Sequence, residues 1–139
     1  MPQSIRDFMT ADPVCISSTT SLAEAARLMR DKDIGDVLIT DGGTITGILT
    51  DRDIVVRAVA KRVNLDETPA SAICTRELTT LSPDDDLELA IERMGSGAIR
   101  RIPVVEGGRP VGVVSLGDLA VARARRTVLG GISAAPPTH

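Results

Sequence analysis

The stretch GILTDRDI at residues 47–54 returns as GVVSLGDL at 112–119, an offset of 65 positions. Sliding the chain against itself by that offset sets Leu22 on Leu87, Ala25 on Ala90, Met29 on Met94, Ile34 on Ile99 and Asp53 on Asp118, without a gap. The glycine pair at 42–43 falls on the pair at 107–108, and Gly47 on Gly112. The leaders IRDFMT at 5–10 and ASAICT at 70–75 also agree in kind. A register held over this length is an internal duplication.

Each unit has the same order of predicted elements. Leu22, Ala25, Ala26 and Met29 lie at i, i+3, i+4 and i+7, the stripe of an amphipathic helix, and Ser21 with Glu24 predicts a capping box at its start. Leu87, Ala90, Ile91 and Met94 repeat the stripe. The runs DVLIT at 36–40 and RIPVV at 101–105 then read as strands. The turns DGG at 41–43 and EGG at 106–108 supply the positive φ of tight hairpins into ITGILT and PVGVVS. Helices follow at DRDIVVRAVAKR and LGDLAVARARR, and leading strands are expected at PVCI, 13–16, and LTTL, 78–81.

One such β-α-β-β-α unit leaves a three-stranded sheet with a poorly covered face. The expected fold is therefore α+β, with two β-α-β-β-α repeats packed through their sheets. The expected boundaries are 1–62 for the first repeat, 63–69 for a connector, 70–126 for the second repeat and 127–139 for a flexible tail.

Composition narrows the function classes. With 139 residues, 42% hydrophobic and 25% charged, the chain has room for one compact domain or two small halves sharing a core, and none for a separate catalytic domain. No apolar run approaches the roughly 18 residues that cross a bilayer, and the N-terminal sequence has neither the basic start nor the apolar core of a signal peptide, so a cytoplasmic location and no membrane contact are expected. A net charge of −3 gives no electrostatic reason for nucleic-acid binding; the basic run RARRT at 123–127 suits a solvated helix end. The sole histidine is the terminal His139, so a general base or zinc ligand of that kind is not available from an ordered segment. Cys15 and Cys74 are too far apart for a CxxC site and read as small buried apolar residues. No enzymatic activity is expected from this inventory.

The segment from IRDFMT through GILTDRDI resembles a cystathionine-beta-synthase (CBS) domain, and the second unit resembles another; a tandem pair is a Bateman module. The likeness covers residues 5 to about 122. It implies that the repeats pack with pseudo-twofold symmetry as a non-enzymatic regulatory module, requiring no cofactor, that binds an adenosine-containing ligand in clefts between the repeats: AMP, ADP, ATP or S-adenosylmethionine. It also implies a disc-like homodimer formed through helices and, for a chain standing alone, a separate regulated protein. The alternative within the same fold is a structural or interaction module whose clefts hold no ligand.

The resemblance assigns the ligand site to a hydroxyl residue followed three positions later by Asp: Thr50 with Asp53, and Ser115 with Asp118. An ionised carboxylate accepts from both hydroxyls of a ribose. The same spacing is that of a helix N-cap, and the two roles are compatible. For phosphate the resemblance points to Arg100 and Arg101, whose counterparts in the first unit are Gly35 and Asp36. Either arginine is equally readable as solvated or as paired with an acid such as Asp36. Gly35 and Asp36 cannot grip phosphate, so the clefts are expected to differ, with phosphate favouring whichever one Arg100 and Arg101 reach. Two departures from the family pattern are Leu38, where the second unit has Pro103, and Leu116 with Gly117 in place of Asp51 and Arg52. The glycines read as turns, because neither GxGxxG nor GxxxxGK[ST] occurs.

Overall fold

The computed structural model describes residues 4–97 and 99–130. In the first repeat β1 (Thr10–Ala11) and β2 (Cys15–Ile16) precede α1 (Leu22–Lys32), β3 (Asp36–Asp41), β4 (Thr44–Thr50) and α2 (Asp51–Asp53). The second repeat holds α3 (Leu87–Gly97), β5 (Arg101–Glu106), β6 (Arg109–Ser115) and α4 (Leu116–Gly130). Two three-stranded sheets result, ordered β2-β3-β4 and β1-β6-β5. No helix among the described residues is long and apolar enough to cross a membrane.

The apolar stripe does what its spacing predicts. Leu22, Ala25 and Met29 pack with Val37, Ile39, Leu49 and Ile54 in one core, and Leu87, Ala90 and Met94 pack with Ile102, Val104, Val114 and Leu119 in the other. These are equivalent positions under the offset, so each repeat builds its core from the same places in the chain. Ser21 caps α1 by accepting from the Glu24 N–H at 3.1 Å. The reciprocal half of the box is absent: the Glu24 carboxylate is held by Arg27 at 2.7 Å.

The leaders cross over between repeats, which the sequence pattern did not predict. Ile5 is fully buried in the core of the second repeat, and its counterpart Ala70 is fully buried in the core of the first. The Ile5 N–H donates to Asp85 O at 2.9 Å, as the Ala70 N–H donates to Thr20 O at 2.7 Å. Next along each leader, Arg6 N–H bonds Pro83 O and Ser71 N–H bonds Ser18 O. Strand β1 pairs antiparallel with β6, Thr10 against Val113, and Thr75 makes the matching bridge to Ile48. Each repeat's sheet is therefore completed by the other's leader.

Crossing over explains two glycines. Gly42, Gly43, Gly107 and Gly108 do have positive φ and make the hairpin turns. Gly47 and Gly112 instead lie mid-strand beneath the crossing leaders. A Cβ on Gly112 would stand 2.9 Å from Thr10 O and 2.6 Å from Met9 Sδ; one on Gly47 would stand 2.9 Å from Cys74 Sγ. These positions need glycine for close approach of another chain segment.

Four expectations are corrected. The segment after β4 is one α turn followed by a π-helical stretch, Ile54–Val59, closed by the Ala60 N–H on Val55 O at 3.0 Å. It buries Ile54 and Ala58, four apart, where α4 buries Leu119 and Ala122, three apart, so the wider turn changes which residues face inward. The strand expected at 78–81 is reduced to a parallel bridge of Leu81 with Val104. In the first repeat the Leu38 N–H holds Val14 O at 2.9 Å; at the equivalent position Pro103 has no N–H, so the bond to Thr79 cannot form. Cys15 is exposed rather than buried, Cys74 is half-buried, and both are free thiols. Helix α4 continues through 127–130, where a tail is expected; residues 131–139 lie outside the described residues.

Candidate functional site

Where β6 ends, Ser115 and Asp118 cap α4 reciprocally. The Asp118 N–H donates to Ser115 Oγ at 3.1 Å, and the Ser115 N–H donates to Asp118 Oδ2 at 2.9 Å. Thr50 and Asp53 form the same box after β4, at 3.1 and 3.0 Å. The capping role is thus present at both motifs. It uses one carboxylate oxygen of each aspartate. Asp53 Oδ1 lies 3.9 Å from Arg57 Nε, whereas Asp118 Oδ1 has no partner among the described residues. A half-buried acceptor left open beside a hydroxyl is suited to a diol.

Ser115 and Asp118 line a cleft of about 210 Å³ between the repeats. Its floor comes from β6 through Val113 and from β3 through Asp36 and Leu38. The leader that crosses from the first repeat contributes Thr10, Asp12, Pro13 and Val14, and Ile34 and Gly35 join the lining. Apolar side chains and the polar groups of Asp36, Arg101, Ser115 and Asp118 share it, the mixture of a small-molecule site. Thr50 and Asp53 do not line this cleft. By the 65-residue correspondence their box belongs to the pseudo-equivalent position on the opposite side of the axis.

The two arginines separate. Arg101 reaches the cleft, with Nε 3.7 Å from Asp36 Oδ1 and Nη1 donating to Gly35 O at 3.5 Å. Arg100 is exposed and outside it; its carbonyl accepts from the Leu116 N–H at 2.8 Å, as Gly35 O accepts from the Asp51 N–H at 2.9 Å. Gly35 makes room for the guanidinium, since a Cβ there would meet Arg101 Nη2 at 2.8 Å. Burial pushes the Asp36 carboxyl above its ordinary range, against the lowering effect of Arg101 and with a further raise from Asp51. The ion pair therefore offsets only part of the desolvation of Asp36.

Sequence reasoning missed the leader residues Thr10, Asp12, Pro13 and Val14 as cleft residues. Their position depends on the crossover, which no local pattern announces; the glycines at 47 and 112 were its one trace. Asp36 was one acid that either Arg100 or Arg101 could have paired with; the structure pairs it with Arg101 and sets it inside the cleft, which was not foreseen.

The same two units are recognised by comparison with known proteins. The CBS domain family matches residues 5–59 and 70–125. The CBS domain-containing protein YhcV of Bacillus subtilis is 38% identical over 118 residues, spanning 85% of this chain and 84% of that protein. The crystal structure of the CBS-domain containing protein ATU1752 from Agrobacterium tumefaciens is 31% identical, covers 88% of this chain and 95% of its own, and superposes with a TM-score of 0.78. The CBS domain pair of protein MJ0100, solved in complex with 5-methylthioadenosine and S-adenosyl-L-methionine, is 26% identical, covers 91% of this chain and 99% of its own, and has a TM-score of 0.81. Duplication, crossed leaders and family match agree, and the chain belongs to the CBS domain family as a tandem pair.

Proposed function

We propose that this chain is a regulatory module, without chemistry of its own, that binds an adenosine-containing ligand between its repeats. The observation that carries this reading is the cleft in which Asp118 presents an unpartnered Oδ1 beside Ser115, in a fold shared with a CBS pair solved with two adenosine compounds. Asp118 takes the ribose hydroxyls there, and Asp53 with Thr50 does so at the pseudo-equivalent position. Arg101 is the cation that lines this cleft, and Arg100, outside it, stands at the counterpart of Gly35. The ligand acts by its different affinities for two states of the module, which reach a separate regulated protein in the cytoplasm.

Pairing of the module with a second copy belongs to this reading. Val55, Val56 and Val59 after β4 and Leu116 and Val121 on α4 are exposed large apolar residues. Val56 and Val121 are equivalent under the offset, so the two repeats offer similar apolar faces to one symmetric partner. The same faces support the second reading, a ligand-free interaction module. Calorimetric titration with AMP, ATP and S-adenosylmethionine separates them: saturable micromolar binding by the wild type, lost when Asp53→Ala and Asp118→Ala are combined, is expected, and the absence of heat at millimolar ligand leaves the interaction module standing.

A further inference from the structure

We infer that Asp36 sets the ligand class of the Ser115–Asp118 cleft, turning it toward adenosine ligands that carry no phosphate; this rests on the adenosine-binding reading above. Arg101 is the only cation among the residues that line this cleft, against the carboxylates of Asp12, Asp36 and Asp118. That cation is already engaged. Its Nε lies 3.7 Å from Asp36 Oδ1, and its Nη1 donates to Gly35 O. Asp51 reaches the same place: a Cβ on Gly35 would stand 2.8 Å from Arg101 Nη2 and 3.1 Å from Asp51 Oδ2.

A phosphate entering here competes with Asp36 for the guanidinium and shares the lining with the carboxylates of Asp12 and Asp118. The pair is partly desolvated, with side-chain exposures of 17% for Asp36 and 35% for Arg101, so these charges are less screened than at an open surface. A ribose and a base need neither the guanidinium nor a cation. A neutral or positively charged adenosine compound thus meets no repulsion, while a nucleotide does, which is specificity by exclusion. The duplication supplies the contrast. The place filled by Gly35 here is filled by Arg100 in the second repeat, so the counterpart position carries the additional cation that this cleft lacks.

The test uses adenosine and AMP as probes, titrated into the whole chain and followed by the amide chemical shifts of Gly35 and Ser115, which report this cleft. The wild type is expected to favour adenosine over AMP by about tenfold, equivalent to ~1.4 kcal/mol. Asp36→Asn is expected to abolish or reverse that ratio, and Asp36→Asn with Arg101→Gln to restore it; Asp36→Ser is a second neutral variant should the first not fold. Equal affinities in the wild type, or a ratio indifferent to Asp36, overturn this inference and leave adenosine binding intact. Silence at both amides with both probes overturns adenosine binding in this cleft as well.

Discussion

Asp36 and Arg101 occupy equivalent positions in the two repeats, and the fold brings Arg101 Nε to 3.7 Å from Asp36 Oδ1. The pseudo-twofold axis passes between the starts of β3 and β5, so residues 65 apart in sequence become neighbours. Duplication followed by divergence has placed opposite charges at one shared spot and made the two sides of the module unlike.

The burial of Asp36 has a pH signature that its pairing with Arg101 only partly offsets. The Asp36 pKa lies above its ordinary value of 3.8, chiefly through burial. A carboxyl that holds its proton more tightly in the folded state contributes most below its unfolded pKa, and the contribution is lost as pH rises through the folded pKa. Urea unfolding between pH 4 and 7 is expected to show wild type losing stability relative to Asp36→Asn as pH rises. A pH-independent difference, or one of opposite sign, contradicts this assignment.

The double role of Asp118 predicts a split between stability and affinity. Ser115→Ala and Asp118→Ala each remove half of the α4 cap, at a cost of about 1 kcal/mol. Both should lower the midpoint of denaturant unfolding to a similar extent. Only Asp118→Ala should also abolish ligand binding at this cleft per folded molecule, because its Oδ1 is not used by the cap. Equal loss of affinity in both variants would point to the cap alone.

The crossed leaders bind the repeats into one cooperative unit. Ile5→Ala deletes a fully buried side chain from the core of the opposite repeat and should cost about 2–5 kcal/mol. Gly112→Ala drives a Cβ to 2.9 Å from the Thr10 carbonyl and should cost about 1–3 kcal/mol by overpacking. In both variants denaturation is expected to remain a single transition by circular dichroism, shifted as a whole. Two separated transitions would show that the repeats fold independently.

Much of this architecture is legible in the sequence because it is built locally. The stripe from Leu22 to Met29 and the Gly42–Gly43 turn each declare their element within a few residues, and the offset declares the symmetry. What escaped was nonlocal. The crossover pairs Thr10 with Val113, at nearly the other end of the chain, and no short-range preference encodes such a contact. The reduced strand at Leu81 was half legible: the Leu38 to Pro103 difference is plain in the sequence, but its consequence follows only once Leu38 N–H is seen to serve Val14. The hydroxyl and aspartate pairs were found by their spacing, while the wall of the cleft arrived with the crossed leader.

The apolar helix faces predict self-association. Val121→Asp places a charge on an exposed apolar patch that the pseudo-symmetry duplicates at Val56. Sedimentation velocity should show a dimer for the wild type and a monomer for Val121→Asp, with unfolding midpoints that agree closely. A wild type that sediments as a monomer removes the pairing role from these faces.

The central claim is that the cleft between the repeats holds an adenosine compound by its ribose, and a crystal structure of the whole chain grown with saturating 5-methylthioadenosine addresses it most directly. The account predicts density in the Ser115–Asp118 cleft, with a ribose hydroxyl within hydrogen-bond distance of Asp118 Oδ1 and the α4 cap intact. An empty cleft at saturating ligand, or the compound seated away from Asp118, would contradict it.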